Sequence, residues 1–307
     1  MLPRVVAVLS TLLLVTPPAS RGADGPSLVE LLASAGRYVE RYEDSFRVVV
    51  AEEVYVQRLR ASPGGVVQET RHLHSDVVFV RAQGTALPWW LLRDVFEVDG
   101  RAVRERERRL EKLLVGGPAD GLERARAIAD EGARFNLGRG FRNYNVPVLV
   151  LALLHPSLQP RFSFEEKGRD TIEGRRFVEI AFRELGAPTV IRGPEAQPNL
   201  PVSGRVWVHE GLDGTVGRTE LLLEVPGQGV MTRATLTTEY RPHEALSLWV
   251  PTEMRERLQT EQVGRRGVAP VEFVEGLAAY SGFRQAGVST KEEIRLPEDE
   301  RPAVPDM

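Results

Sequence analysis

The chain has 307 residues, with 40 Lys and Arg against 43 Asp and Glu, and its formal net charge of −3 excludes the basic footprint that nucleic-acid binding needs. It contains no cysteine, so disulfides, thiolate metal sites and cysteine nucleophiles are excluded together, and stability must come from a core. The length suffices for one large core, and all-β domains of this size often stay single.

The chain opens Met1-Leu2-Pro3-Arg4, runs almost without polar interruption from Val5 to Val15, and leaves through Pro17-Pro18-Ala19-Ser20-Arg21-Gly22-Ala23. A basic start, an apolar stretch and a small-residue exit are the signal-peptide pattern. The apolar stretch is about 11 residues where a membrane-spanning helix needs roughly 20, so a cleaved signal over residues 1–23 fits better than a permanent anchor. The protein is therefore expected to be exported, to the periplasm or beyond it.

A helix is predicted from Ser27 to Tyr42. Ser27 and Glu30 fit a capping box, and Leu28, Leu31, Leu32, Ala35, Tyr38, Val39 and Tyr42 recur at helical spacing. From Phe46 to Gln57 the pattern becomes that of a strand rich in β-branched residues, with a bulge expected at Glu52-Glu53. Ser62-Pro63-Gly64-Gly65 then turns the chain into a second strand from Val66 to Arg81. Trp89 to Val98 reads as a third strand, ended by Asp99-Gly100. Residues 101–131, dense in Arg and Glu around Leu110, Leu113, Leu114 and Leu122, read as a helical insertion. Arg134 to Pro147 mixes aromatics, Arg, Asn and Gly without a period and is expected to be irregular, followed by the apolar run Val148 to Leu154.

The second half is nearly all strand by pattern: Arg161–Glu165, Arg176–Arg183, the short piece Pro188–Arg192, Gly204–His209, Val216–Val225, Met231–Tyr240, Leu248–Thr260 and Val271–Phe283. Strands in series joined by Gly, Pro and Asp turns, with no alternating helices, imply an antiparallel meander. So many long strands in one sheet must curl. The expected fold is mainly β, in the α+β class: a strongly curved antiparallel sheet or unclosed β barrel whose apolar face is covered by the N-terminal helix and the helical insertion. One domain is expected over residues 24–290, and the tail 291–307, rich in Pro and Glu, is expected to be flexible.

No constellation specifies catalysis. His72 and His74 share a strand face with Asp76, which is the spacing of metal ligands but also that of an exposed polar face. Glu52-Glu53 and Glu165-Glu166 are carboxylate pairs, yet neighbours on a strand point to opposite faces, so solvated or bulge positions are the plainer reading. A Ser/His/Asp triad has no fixed spacing, but the chain has no Gly-x-Ser-x-Gly elbow, phosphate loop or dinucleotide fingerprint. The arginines from Arg101 to Arg109 are interleaved with glutamates, as on a solvated helix face. Trp89, Trp90, Trp207 and Trp249 read first as packing residues.

The segment Gly204-Arg205-Val206-Trp207-Val208-His209, its acidic Gly turn into Val216-Gly217-Arg218-Thr219-Glu220-Leu221, and the ending Ala279-Tyr280-Ser281-Gly282-Phe283-Arg284 resemble the periplasmic lipoprotein-carrier (LolA-like) superfamily. The chain looks closest to uncharacterised exported members of that group. The resemblance implies an unclosed β barrel with helices as a lid over an apolar cavity that holds or senses lipid acyl chains. On this reading the protein is a non-enzymatic envelope protein without a cofactor or metal. It is expected to be a monomer that binds a lipid or lipoprotein acyl chain through Trp90, Phe96, Phe162, Phe164, Leu221, Leu223, Leu236 and Met254. Arg134, Asn136, Arg142 and Asn145 would form a polar rim. The alternative is an envelope protein-interaction or stress-sensor module, and a third reading is a hydrolase with scattered residues.

Overall fold

The computed structural model describes residues 25–45, 48–81, 89–103, 132–138, 144–192, 199–227, 229–264 and 267–285. The expected signal peptide, the tail 291–307 that is expected to be flexible, and the predicted helices over 104–131 lie outside these residues.

Helix α1 (Leu28–Ser45) begins where the capping box placed it: the Glu30 carboxylate accepts from the Ser27 amide at 2.9 Å, and the Ser27 hydroxyl accepts from the Glu30 amide at 3.3 Å. Strands β1 (Val48–Arg60), β2 (Val67–Arg81) and β3 (Trp89–Val98) follow as hairpins. Next, Asp99 and Gly100, at φ of 50° and 74°, form the doubly left-handed turn that suits a two-residue hairpin, so Arg101–Ala102 pairs back as the short strand β4. The predicted insertion therefore starts as a strand. A second helix, α2 (Leu149–Leu153), and a 3₁₀ turn at Gln159–Arg161 lead into β5 (Phe162–Ile172) and β6 (Arg175–Glu184). Among the described residues, strands β7 (Ile191–Arg192) and β8 (Asn199–Leu200) pair only with each other. The chain ends with β9 (Val202–His209), β10 (Val216–Gly227), β11 (Val230–His243), β12 (Leu248–Gly264) and β13 (Gly267–Gln285).

The sheet is antiparallel throughout and has 11 strands in the order β4-β3-β2-β1-β13-β12-β11-β10-β9-β6-β5. β4 and β5 are its edges, so it is not closed into a barrel. Its centre joins the two ends of the described chain, with Glu53 of β1 opposite Tyr280 of β13. The bulge expected at Glu52-Glu53 of β1 falls on β13 instead: from Val50 to Glu52 the partner residue moves from Arg284 to Ser281, with Gly282 at φ 62°, while β1 pairs with β2 there without a shift.

One face of the sheet turns inward onto a single apolar cluster, to which α1 adds Leu31, Ala35, Tyr38, Val39 and Tyr42 and α2 adds all five of its residues. The opposite face of β9 to β12 is solvated and carries ion pairs such as Arg233–Glu224 at 3.0 Å and Arg255–Glu253 at 2.7 Å. Exposed pairs of this kind add little stability, so the inner face holds the sheet in shape.

Candidate functional site: the inner face of the sheet and its cover

The inner face divides into an apolar floor and a polar seam. The floor runs across β5, β6, β9, β10, β11 and β12. Leu221 stands opposite Leu236, Leu223 opposite Ala234, and Ala234 opposite Leu258, and all are buried. At the β5 end, Phe162 meets Phe182 edge-on with centroids 6.0 Å apart and packs against Phe164 at 6.3 Å. Over this floor lie α1 and α2, tied to each other by Gln159, whose Nε2 donates to the Leu32 carbonyl at 3.0 Å and the Leu154 carbonyl at 2.7 Å.

The cover is fastened to the sheet by a few polar contacts. Tyr38 of α1 accepts from the Trp249 amide at 3.1 Å, and Arg41 donates to the Asp213 carbonyl at 2.9 Å. Just before α2, the Pro147 carbonyl accepts from the buried Tyr240 hydroxyl at 2.5 Å. Burial raises the phenols of Tyr38, Tyr42 and Tyr240 above their ordinary range, so they remain neutral donors and acceptors.

The polar seam follows β1, β2, β3, β12 and β13. Glu53, 1% exposed, takes both prongs of Arg93, Nε to Oε2 at 2.5 Å and Nη2 to Oε1 at 2.8 Å. Burial works against the guanidinium charge, but Glu53 outweighs it and holds Arg93 firmly protonated. The same Nη2 reaches the Asn145 carbonyl at 3.4 Å, which joins the pair to the cover. One row further on, Gly276 lets the Tyr55 ring lie across β13. A Cβ there would stand 2.7 Å from the phenol oxygen, which in its absence hydrogen-bonds Glu256 on β12. Gln57 donates to Asn136 Oδ1 at 3.4 Å and accepts from the Leu137 amide at 2.8 Å, fixing the segment 132–138 on the sheet.

The structure brings Phe162, Leu221, Leu223, Leu236 and Met254 together on the floor, with Phe164 half-buried against them. Phe96 lies apart, edge-on to His74 at 6.1 Å on β3. The Trp90 side chain and Arg142 are outside the described residues. Of the expected rim, Asn145 is buried beside Arg93, Asn136 binds Gln57, and Arg134 is exposed with its guanidinium 4.9 Å from the Phe135 ring centroid. The seam itself was missed. Glu53 reads as solvated from its Glu-Glu neighbour, and nothing local marks Arg93, yet strict alternation does place Glu53 on the face of Val49 and Tyr55.

The histidines stand apart. Among the described residues no cluster of His, Asp and Glu is arranged to hold a metal ion. His209 Nδ1 lies 3.0 Å from Asp213 Oδ1 and 2.8 Å from Arg175 Nη2, and its Nε2 accepts from Arg175 Nε at 3.3 Å. His155 Nδ1 lies 2.7 Å from the Ser157 hydroxyl, and its Nε2 lies 3.6 Å from Glu43. Although this has the residue types of a hydrolytic triad, the Ser157 amide bonds the same nitrogen at 3.2 Å. The neighbouring amides of Leu158 and Gln159 are taken by the His155 carbonyl and do not point at a reacting oxyanion. The arrangement is a local turn.

No family model matches the chain, and no curated protein matches it. Among solved structures it is similar to an outer-membrane lipoprotein-sorting protein domain from Vibrio parahaemolyticus, at 10% identity and TM-score 0.37 over 83% of this chain and 94% of that one. It is also similar to a DUF1329 family protein from Desulfovibrio piger, at 12% identity and TM-score 0.35 over 84% and 93% of the two chains. A LolA superfamily protein from Nitrosomonas europaea gives 10% identity and TM-score 0.32 over 83% and 95%. The superfamily that the sequence resembles is thus represented among them.

Proposed function

We propose that this is an exported, non-enzymatic envelope protein that holds a hydrophobic ligand, a lipid or lipoprotein acyl chain, between the apolar floor and the cover of α1 and α2. One observation carries the reading: the buried floor runs across the adjacent strands β5, β6, β9, β10, β11 and β12, and a helix of only five residues lies on it, fastened by single polar contacts. Burying acyl methylenes contributes about 0.8 kcal/mol each, so an aliphatic chain sliding beneath α2 binds usefully without any reacting group. The resemblance in Gly204–His209 and Ala279–Arg284 names the acyl class. Native mass spectrometry of protein drawn from envelope extracts tests it: a retained lipid mass is expected, and a bare polypeptide mass after gentle extraction would remove the proposal.

A second reading rests on β5. It is the outermost strand of its side of the sheet and is 11 residues long, and its residues Glu165, Glu166, Lys167 and Arg169 are exposed. An envelope partner adding a strand there would make the protein an interaction module. A stable partner in a pull-down from envelope extract, with no lipid bound, supports this reading over the first.

A further inference from the structure

Two polar side chains deep under the cover have no hydrogen-bond partner among the described residues: the Ser75 hydroxyl, 0% exposed, and the Asn145 side-chain amide nitrogen, 2% exposed. Both flank the same ion pair. Ser75 stands directly opposite Glu53 in the β1–β2 register, and the Asn145 carbonyl accepts from Arg93. A buried donor left unmade is costly, and native interiors rarely tolerate it without a function. The pair also adjoins the apolar floor, because the hydroxyl of Tyr280, opposite Glu53, reaches Met254 Sδ at 3.9 Å.

We infer that this corner of the seam is the head-group end of the proposed ligand site, and that it selects the carbonyl of an acyl ester or amide over a free carboxylate. The inference rests on the reading of the protein as an acyl-chain binder. A carbonyl oxygen accepts two hydrogen bonds and carries no charge, and Ser75 and Asn145 supply two donors. Arg93 cannot serve an incoming carboxylate as a free cation, since two of its nitrogens are committed to Glu53. A carboxylate placed here gives up its water beside an ion pair that has no net charge left to offset the loss.

The test compares methyl palmitate with palmitate, which share one aliphatic chain, by displacement of a fluorescent fatty-acyl probe from the purified protein at neutral pH. The ester is expected to bind about tenfold more tightly than the acid. Ser75→Ala and Asn145→Leu are each expected to weaken the ester several-fold, by about the worth of one hydrogen bond, and to leave palmitate unchanged. Ser75→Ala removes an unbonded hydroxyl and does not threaten the fold; an unchanged circular dichroism melt verifies this. Palmitate binding as tightly as its methyl ester, or variants that weaken both equally, overturns the head-group assignment while acyl binding stands. Failure of both compounds to bind overturns the acyl-binding reading itself, and the assignment falls with it.

Discussion

Glu53 and Arg93 neutralise each other in a place where both are buried. Removing the guanidinium leaves a buried carboxylate without its counterion, and such broken pairs cost about 3–5 kcal/mol, whereas replacing both partners by apolar residues is often neutral. Arg93→Met is therefore expected to lower the urea midpoint sharply, and Glu53→Leu in the same chain to restore most of it. A double variant as unstable as the single one would show that the pair does more than cancel charge. Asp213 titrates in the other direction. Burial pushes its carboxyl up, but hydrogen bonds from the Thr215 amide, Arg175, the Thr215 hydroxyl and His209 outweigh this and hold it at about 2, below its ordinary 3.8. A depressed carboxylate stabilises the fold above the unfolded value and loses that contribution as pH falls from 3.8 toward 2. Asp213→Asn should flatten this part of the acid limb in melts followed against pH, more visibly at low salt because the group is half-exposed. An acid limb identical to the parent's would show that the cluster adds nothing.

At the scale of elements, α1 depends on one glycine in the β9–β10 turn. Gly214 has φ +77°, and a Cβ built there would stand 2.1 Å from the Ser34 carbonyl, so turn and helix cannot both keep their places with a larger residue. Gly214→Ala should raise hydrogen exchange along α1 and leave β12 and β13 protected; uniform loss of protection would mean that α1 and the sheet unfold as one unit. The helix was legible because its cap and its 3.6-residue stripe lie within one short window. Most strands were legible by alternation, but β5 was read only to Glu165 and continues to Ile172. As an edge strand with neither face buried from Glu165 to Thr171, it has no buried side there to impose a period, and its charged run looks like a loop. Arg101–Ala102 was assigned to a helix because its Arg-rich composition outweighed the Asp99-Gly100 turn, which the structure uses to form β4.

For the whole molecule, the sequential hairpins follow from local turns, but the β1–β13 pairing does not. It joins segments at opposite ends of the described chain, and no turn residue announces it. The same holds for the site. The floor residues Leu221, Leu236 and Met254 were recognisable from alternation alone, while the seam needs the long-range register that sets Arg93 against Glu53 and Tyr55 over Gly276. This inward sheet also buries all six tyrosines of the chain, at positions 38, 42, 55, 144, 240 and 280. For Tyr38, Tyr42, Tyr240 and Tyr280 burial lifts the phenol above its ordinary 10.0. Unfolding exposes them and lets them ionise near that value. Since the folded state holds these protons longer, their contribution to stability is complete below pH 10.0 and is lost as pH rises beyond it. In an alkaline titration, tyrosinate absorbance should therefore stay low through that pH and then rise in one step together with the loss of the far-ultraviolet β signal. Ionisation that proceeds near pH 10 while the β signal persists would mean that water reaches these rings in the native protein, and that the cover of α1 and α2 opens far more readily than the packed arrangement allows.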